Sequence, residues 1–310
     1  MRNLSPKLKK WLDEFNKNAA ALIAAGFKPT TVNARDYLYN LTREYIKDIP
    51  EVPLILDDLV YTPEWLVPVR IYHPQPQKAL PVFLYFHGGG GMAGGVASYD
   101  AICRKLALAT NHIVISVEYR LAPENPYPCA VKDAYWTSKN LWSTLDARKL
   151  VYCRELVVGG DSAGGTLTAS TMEKAQFETD LIIKKAVMIT PGLDFTMSFP
   201  SIDENGVGFL LQKAKVSWYY DHLFLHAHDR KAASPLFGAF TNRMPETLMI
   251  TAEFCLLRDE NYAYLEQLKR VGVKYQHVHF NDMIHNFISL EDLVKEECQK
   301  VYKTIADFLK

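Results

Sequence analysis

Ser162 lies in Gly160-Asp161-Ser162-Ala163-Gly164, a G-x-S-x-G pattern. The apolar run Leu156-Val157-Val158 leads into it, and Gly165-Thr166-Leu167-Thr168 leaves it with the composition of a helix start. A serine on so tight a strand-to-helix turn is held in a strained backbone conformation, with small neighbours because the turn crowds the elements it joins. Its hydroxyl projects above the sheet beside a helix N-terminus, which favours developing negative charge. The chemistry such a group performs is nucleophilic attack on an acyl carbon. The plainer reading is an N-cap serine in an ordinary glycine-rich turn.

A second glycine run, His87-Gly88-Gly89-Gly90, follows the apolar segment Pro81–Phe86. Backbone N–H groups unobstructed by side chains can approach a substrate oxygen and hold the oxyanion of a tetrahedral intermediate. Gly88 and Gly89 are assigned as loop donors, with the Ala163 N–H as a third. A phosphate cradle is the competing use of glycine runs. Neither Gly-Lys-Ser/Thr nor G-x-G-x-x-G with an acidic ribose anchor accompanies this one.

The elements that must carry these turns read as alternating strands and helices. Leu54–Val60 and Val67–Tyr72 flank a Pro-containing turn and predict a hairpin. Leu80–Phe86, Ile113–Tyr119, Glu155–Gly159, Lys185–Thr190, Thr247–Thr251 and Tyr275–Phe280 are short apolar strands, with helices predicted near Tyr99–Ala109, Pro128–Leu145 and Leu290–Leu309. That alternation implies an α/β fold with a mostly parallel sheet covered on both faces. At the N-terminus, Leu4, Leu8, Leu12, Phe15, Ala19, Leu22 and Ile23 recur at helical steps until Gly26 and Pro29, and a second short helix is predicted over 35–47. Residues 195–232 break the alternation with an aromatic-rich stretch that reads as a helical insertion. The expected organisation is therefore an N-terminal helical cap segment over 1–50 and a core over 51–310 that carries a cap insertion at about 195–232.

The chain has 310 residues, 48% of them hydrophobic, with 35 basic and 35 acidic side chains. A zero net charge gives no electrostatic reason to expect nucleic acid or an anionic membrane surface. No apolar run approaches the roughly 18 residues of a membrane span. Five scattered cysteines, Cys103, Cys129, Cys153, Cys255 and Cys298, lack metal-ligand spacing and fit a reduced, cytoplasmic setting. His222, His226 and His228 sit in the insertion at steps that make no clear metal site, so no metal is expected there.

Residues 81–133 and 155–168 resemble the hormone-sensitive lipase family of esterases. The matching stretches are His87–Gly90, Tyr119-Arg120-Leu121-Ala122-Pro123-Glu124, Pro128, Asp133 and Gly160–Gly165, with Thr251–Phe254, Leu257–Glu260 and Met283–Phe287 resembling that family's acid and histidine loops. Asn286 stands where glycine is usual. The resemblance implies an α/β-hydrolase fold with a helical cap and hydrolysis of short- to medium-chain carboxylic esters. It implies a small-molecule ester as partner, no cofactor, and a homodimer formed through the last strand and helix. Arg120 and Glu124 are read as ion-paired residues that hold loops.

The order in such folds is serine, acid, histidine, so His285, after the last strand, is the expected base. The family's aspartate aligns with Cys255, and four readings follow. Another carboxylate serves, with Glu253, Asp259 and Asp282 nearest in sequence; or Cys255 acts as a thiolate beside the imidazolium. Otherwise Ser162 and His285 work as a slow dyad, or the chain has lost catalysis and kept a small-molecule pocket.

Overall fold

The computed structural model describes residues 2–225 and 228–310. Two helices lead, α1 (Pro6–Ala24) and α2 (Thr31–Tyr45), followed by the strands β1 (Leu54–Tyr61), β2 (Leu66–His73) and β3 (Leu80–Phe86). The alternating part runs α3 (Val96–Thr110), β4 (Ile113–Val117), α4 (Cys129–Ala147), β5 (Tyr152–Asp161), α5 (Ala163–Ala175) and β6 (Ile183–Ile189). Three short helices follow: α6 (Ser201–Glu204), α7 (Lys213–Leu223) and α8 (Arg230–Ala233). The chain closes with β7 (Glu246–Phe254), α9 (Arg258–Arg270), β8 (Tyr275–Ile284) and α10 (Lys295–Leu309).

The eight strands form one sheet in the order β1-β2-β4-β3-β5-β6-β7-β8. β1 and β2 form the expected antiparallel hairpin, with Leu54 opposite His73, and β2 is antiparallel to β4. The remaining pairs are parallel. Because side chains alternate across a strand, each parallel strand feeds two cores. Phe83, Tyr85, Val157, Val187 and Leu248 pack on one face with α3 and α10. Val82, Leu84, Leu156, Val158 and Met188 pack on the other with residues of α4, α5 and α9. Central side chains such as Phe83 and Leu84 are wholly buried, each contributing roughly 1.5–3 kcal/mol by leaving water.

Several boundaries differ from expectation for local reasons. α2 starts at Thr31, not 35, because Thr30 and Asn33 cap it reciprocally: the Asn33 N–H donates to Thr30 Oγ1 at 3.1 Å, and the Thr30 N–H to Asn33 Oδ1 at 3.2 Å. β5 begins at Tyr152 because it pairs with Leu80 before its apolar run starts. α10 starts at Lys295, and Phe287–Leu290 instead makes one tight 3₁₀ turn. In the aromatic-rich stretch, Phe195 packs edge-on against Tyr220 and Phe224, which fixes α7 over the C-terminal ends of the strands. Ser5 N–H donates to the Asp282 carbonyl at 3.1 Å, which ties the start of α1 to β8. Among the described residues, no helix is long and apolar enough to cross a membrane.

Candidate active site

β5 ends at Asp161 and α5 begins at Ala163, so Ser162 alone makes the turn, at φ 52° and ψ −118°. A non-glycine residue there stores about 1–3 kcal/mol of strain. The turn is held on both sides, with the Ser162 N–H donating to the Ile189 carbonyl at 2.9 Å and the Ser162 carbonyl accepting from Thr166 N–H at 3.1 Å. Gly164 packs so closely on β3 that a Cβ there would collide with the Phe86 carbonyl.

His285 follows β8 directly, and the left-handed Asn286 (φ 60°) turns the chain behind it. Its Nε2 lies 3.0 Å from Ser162 Oγ. Its Nδ1 lies 3.1 Å from Cys255 Sγ, just beyond the end of β7. The structure therefore gathers Ser162, His285 and Cys255, residues contributed by three strand ends. Leu257 N–H donates to the same sulfur at 3.4 Å. Burial pushes the Cys255 thiol well above its ordinary range. Burial, aided by the nearby Lys215 charge, pulls His285 down to about 3. Burial thus disfavours the charged form of each and favours thiol beside imidazole over thiolate beside imidazolium. Which of the pair carries the shared hydrogen matters. If the imidazole Nδ1–H points at sulfur, Nε2 is free to accept the serine proton; if the thiol donates, Nε2 carries hydrogen and cannot act as base.

The three carboxylates nominated as substitutes do not reach His285, and each is a correction with a visible cause. Glu253 is held by Arg258 at 2.9 Å, by Arg2 and by His279 at 3.1 Å. Since β7 ends at Phe254, Glu253 and Cys255 do not continue one strand face. Asp259 accepts the Ser201 N–H at 3.0 Å, so it caps α6, and it also accepts from Arg258 at 2.8 Å. Asp282, near the C-terminal end of β8, lines a groove shared with Arg2, Ser5 and Lys9 of the N-terminal segment.

The oxyanion loop needs another correction. Gly88 N–H donates to Asp161 Oδ1 at 3.0 Å, so it is spent inside the fold. Asp161 also accepts from Tyr85 at 2.9 Å and Tyr99 at 2.8 Å. Burial raises its carboxyl to about 6, against the pull of these donors. Asp161 therefore anchors the loop, and Gly89 and Gly90 line the hollow beside Ser162. Gly90 was one position outside the sequence assignment, and the acidic residue inside the serine motif was the signal that could have set the register. The His87 ring stacks on Tyr119 at 4.2 Å, and the Tyr119 hydroxyl donates to the His87 carbonyl at 2.7 Å. Arg120 pairs with Asp133 at 2.6 Å, while Glu124 pairs with Arg35 of α2 at 2.6 Å.

Two hollows meet at Ser162. One is mostly apolar, walled by Tyr127, Val131, Phe195, Val216, Leu223 and Leu257. The other is lined by His285, Asn286, Tyr37, Leu38, Lys215 and Tyr219. Lys215 went unnoticed in the sequence, where it is one lysine among several. Among the described residues there is no cluster able to hold a metal ion and all five cysteines are free. The His222 Nδ1–H donates to the Trp218 carbonyl at 2.8 Å, while His226 lies outside the described residues.

Comparison with known proteins follows the same lines. Residues 83–289 match a family described by its alpha/beta hydrolase fold. Over 257 residues the chain is 32% identical to the carboxylic ester hydrolase LipN of Mycobacterium tuberculosis, covering 79% of this chain and 67% of that protein. It is 32% identical to an ethyl acetate hydrolase of Pseudomonas putida, covering 74% of each. An esterase from Pyrobaculum calidifontis superposes with a TM-score of 0.89 at 31% identity, covering 99% of this chain and 98% of that one.

Proposed function

The chain belongs to the hormone-sensitive lipase-like family of the alpha/beta hydrolase fold, and on that premise we propose that it hydrolyses carboxylic esters through a covalent acyl-enzyme on Ser162. The observation that carries this reading is the 3.0 Å contact between Ser162 Oγ and His285 Nε2 at the strained turn.

In this mechanism Oγ attacks the acyl carbon while its proton passes to Nε2. The carbonyl oxygen becomes an oxyanion held by the N–H groups of Gly89, Gly90 and Ala163; one such donor is worth roughly 3–4 kcal/mol to a transition state. Collapse expels the alcohol, which takes the proton back from His285. Water then enters, His285 accepts its proton, and the acid leaves with Ser162 restored. The apolar walls of the first hollow, Tyr127, Val131, Phe195 and Leu223, suit the short- to medium-chain groups of a carboxylic ester. A silent binding pocket, the other reading of Cys255, has less support: the carboxylic ester hydrolase LipN and the ethyl acetate hydrolase are named for catalysis, against one relative, 30% identical over 236 residues, named as a gibberellin receptor of Arabidopsis thaliana.

The test is covalent labelling with a fluorophosphonate, located by peptide mass spectrometry, alongside hydrolysis of 4-nitrophenyl esters of graded chain length. Label is expected on Ser162, with turnover abolished by Ser162→Ala. A folded protein that takes no label, or a Ser162→Ala variant that keeps its turnover, removes the proposal.

A further inference from the structure

Lys215, the third residue of α7, lines the same hollow as Ser162 and His285. Among the described residues no carboxylate lies within ion-pairing distance of its ammonium. Its neighbour Lys213 has such a partner, Asp203, at 2.5 Å. What Lys215 has instead is aromatic: its Nζ lies 4.9 Å from the Tyr37 ring centre and 5.8 Å from that of Tyr219. Asp161 is the acidic residue on the wall of this hollow, and its oxygens are occupied by Tyr85, Tyr99 and the Gly88 N–H. The Tyr37 hydroxyl is buried without any hydrogen-bond partner. Two donors with unmet demand thus border the reacting hydroxyl.

Lys215 keeps some accessible surface, yet burial alone brings its pKa to about 8. The two facts agree if that surface faces the enclosed hollow and not bulk water. The group is cationic at neutral pH, and its charge opposes formation of the imidazolium on His285. With Cys255 in place of a carboxylate, nothing resident in the triad offsets that charge. Buried charges are ordinarily paired.

We infer that Lys215, assisted by the Tyr37 hydroxyl, anchors a carboxylate carried by the substrate, so that the enzyme takes acidic esters in preference to neutral ones of the same size. The inference rests on Ser162 being the nucleophile. The substrate's own anion supplies the negative charge that the triad lacks: it neutralises Lys215 and so relieves the repulsion felt by His285.

Two matched pairs of esters test this at pH 7. Mono-4-nitrophenyl adipate against 4-nitrophenyl hexanoate places the charge on the acyl side, and 4-carboxyphenyl hexanoate against phenyl hexanoate places it on the alcohol side. In at least one pair kcat/KM is expected to favour the acidic ester by about tenfold or more. Lys215→Met is expected to erase that preference and Lys215→Arg to retain it, with Lys215→Gln replacing the methionine variant if the latter does not fold. A ratio unchanged by removing the charge, or a wild-type enzyme that favours the neutral ester in both pairs, overturns the inference. If the wild type turns over none of the esters, the nucleophile reading has failed separately. The anchor is then judged by calorimetric titration of monomethyl adipate into Ser162→Ala with and without Lys215→Met. Binding weakened at least tenfold by the second change supports it, and unchanged binding overturns it.

Discussion

Replacing Cys255 by aspartate is the most direct probe of the site's energetics. Sγ lies 3.1 Å from His285 Nδ1, and the Leu257 N–H already points at it from 3.4 Å. A carboxylate oxygen reaches slightly farther than sulfur, and charge-assisted bonds settle at about 2.7–2.9 Å. The new group therefore finds one donor in the ring and a second in the backbone without moving either. His285 is pulled from an ordinary 6.5 to about 3, which at about 1.4 kcal/mol per pH unit disfavours the imidazolium by about 5 kcal/mol. Loss of the acid in a serine triad costs a comparable factor of about 10⁴ in kcat. Lys215 remains in Cys255→Asp and still opposes protonation, and a larger side chain at a fully buried position costs about 1–3 kcal/mol of stability.

The expected result is a rise in kcat of about 10²–10³-fold, or roughly 3–4 kcal/mol. The assay is 4-nitrophenyl butyrate at pH 7.5, with active sites counted by fluorophosphonate titration. The aspartate also fixes the tautomer, since a carboxylate only accepts and so leaves hydrogen on Nδ1. Cys255→Ala serves as control and is expected within about threefold of wild type, because a neutral thiol is a weak partner. A gain below threefold in Cys255→Asp, with Ser162 fully labelled and the fold intact, refutes the argument that the neutral thiol limits the base.

Two further outcomes follow from the same geometry. A base held at about 3 is unprotonated throughout the mildly acidic range, so the acid limb of kcat/KM is expected below pH 5 in the wild type and nearer the ordinary histidine range in Cys255→Asp; superimposable profiles contradict this. Gly164→Ala places a methyl against the Phe86 carbonyl where α5 leaves the serine turn, and is expected to lower the melting temperature and abolish Ser162 labelling together; retained labelling at wild-type rate counts against the crowding argument.

Much of the fold was legible because its signals are local. Leu156–Val158 and Leu80–Phe86 announce strands, and Ser162 announces itself through glycines that the β5–α5 junction requires. What was not legible depended on partners distant in sequence. Three consecutive N–H groups in His87–Gly90 look alike until Asp161, 73 positions after Gly88, claims one of them. Proximity in sequence nominated Glu253 and Asp259, but Arg258 reaches both from between them in the chain. The same local logic put the start of α2 late, because the reciprocal cap at Thr30 and Asn33 has no apolar residue in it.

Cys255 and Lys215 are best understood together. In a carboxylate triad the acid offsets the positive charge that develops on histidine during attack, and a lysine on the opposite wall would pair with that charge system. Here the acid is absent and the lysine is present, so the imidazolium forms beside one cation and beside no anion. Asp161 is the acidic residue lining this hollow, and it is committed to Tyr85, Tyr99 and Gly88, holding the oxyanion loop. A negative group must then arrive with the ligand if proton transfer is to be fast. The N-terminal helices make that arrival selective: Tyr37, Leu38 and Leu41 of α2 wall the hollow. Arg35 fixes α2 to the core by donating to the Met92 carbonyl at 2.9 Å and the Ala122 carbonyl at 3.0 Å. The segment covering the site thus also shapes the space in which Lys215 meets its anion.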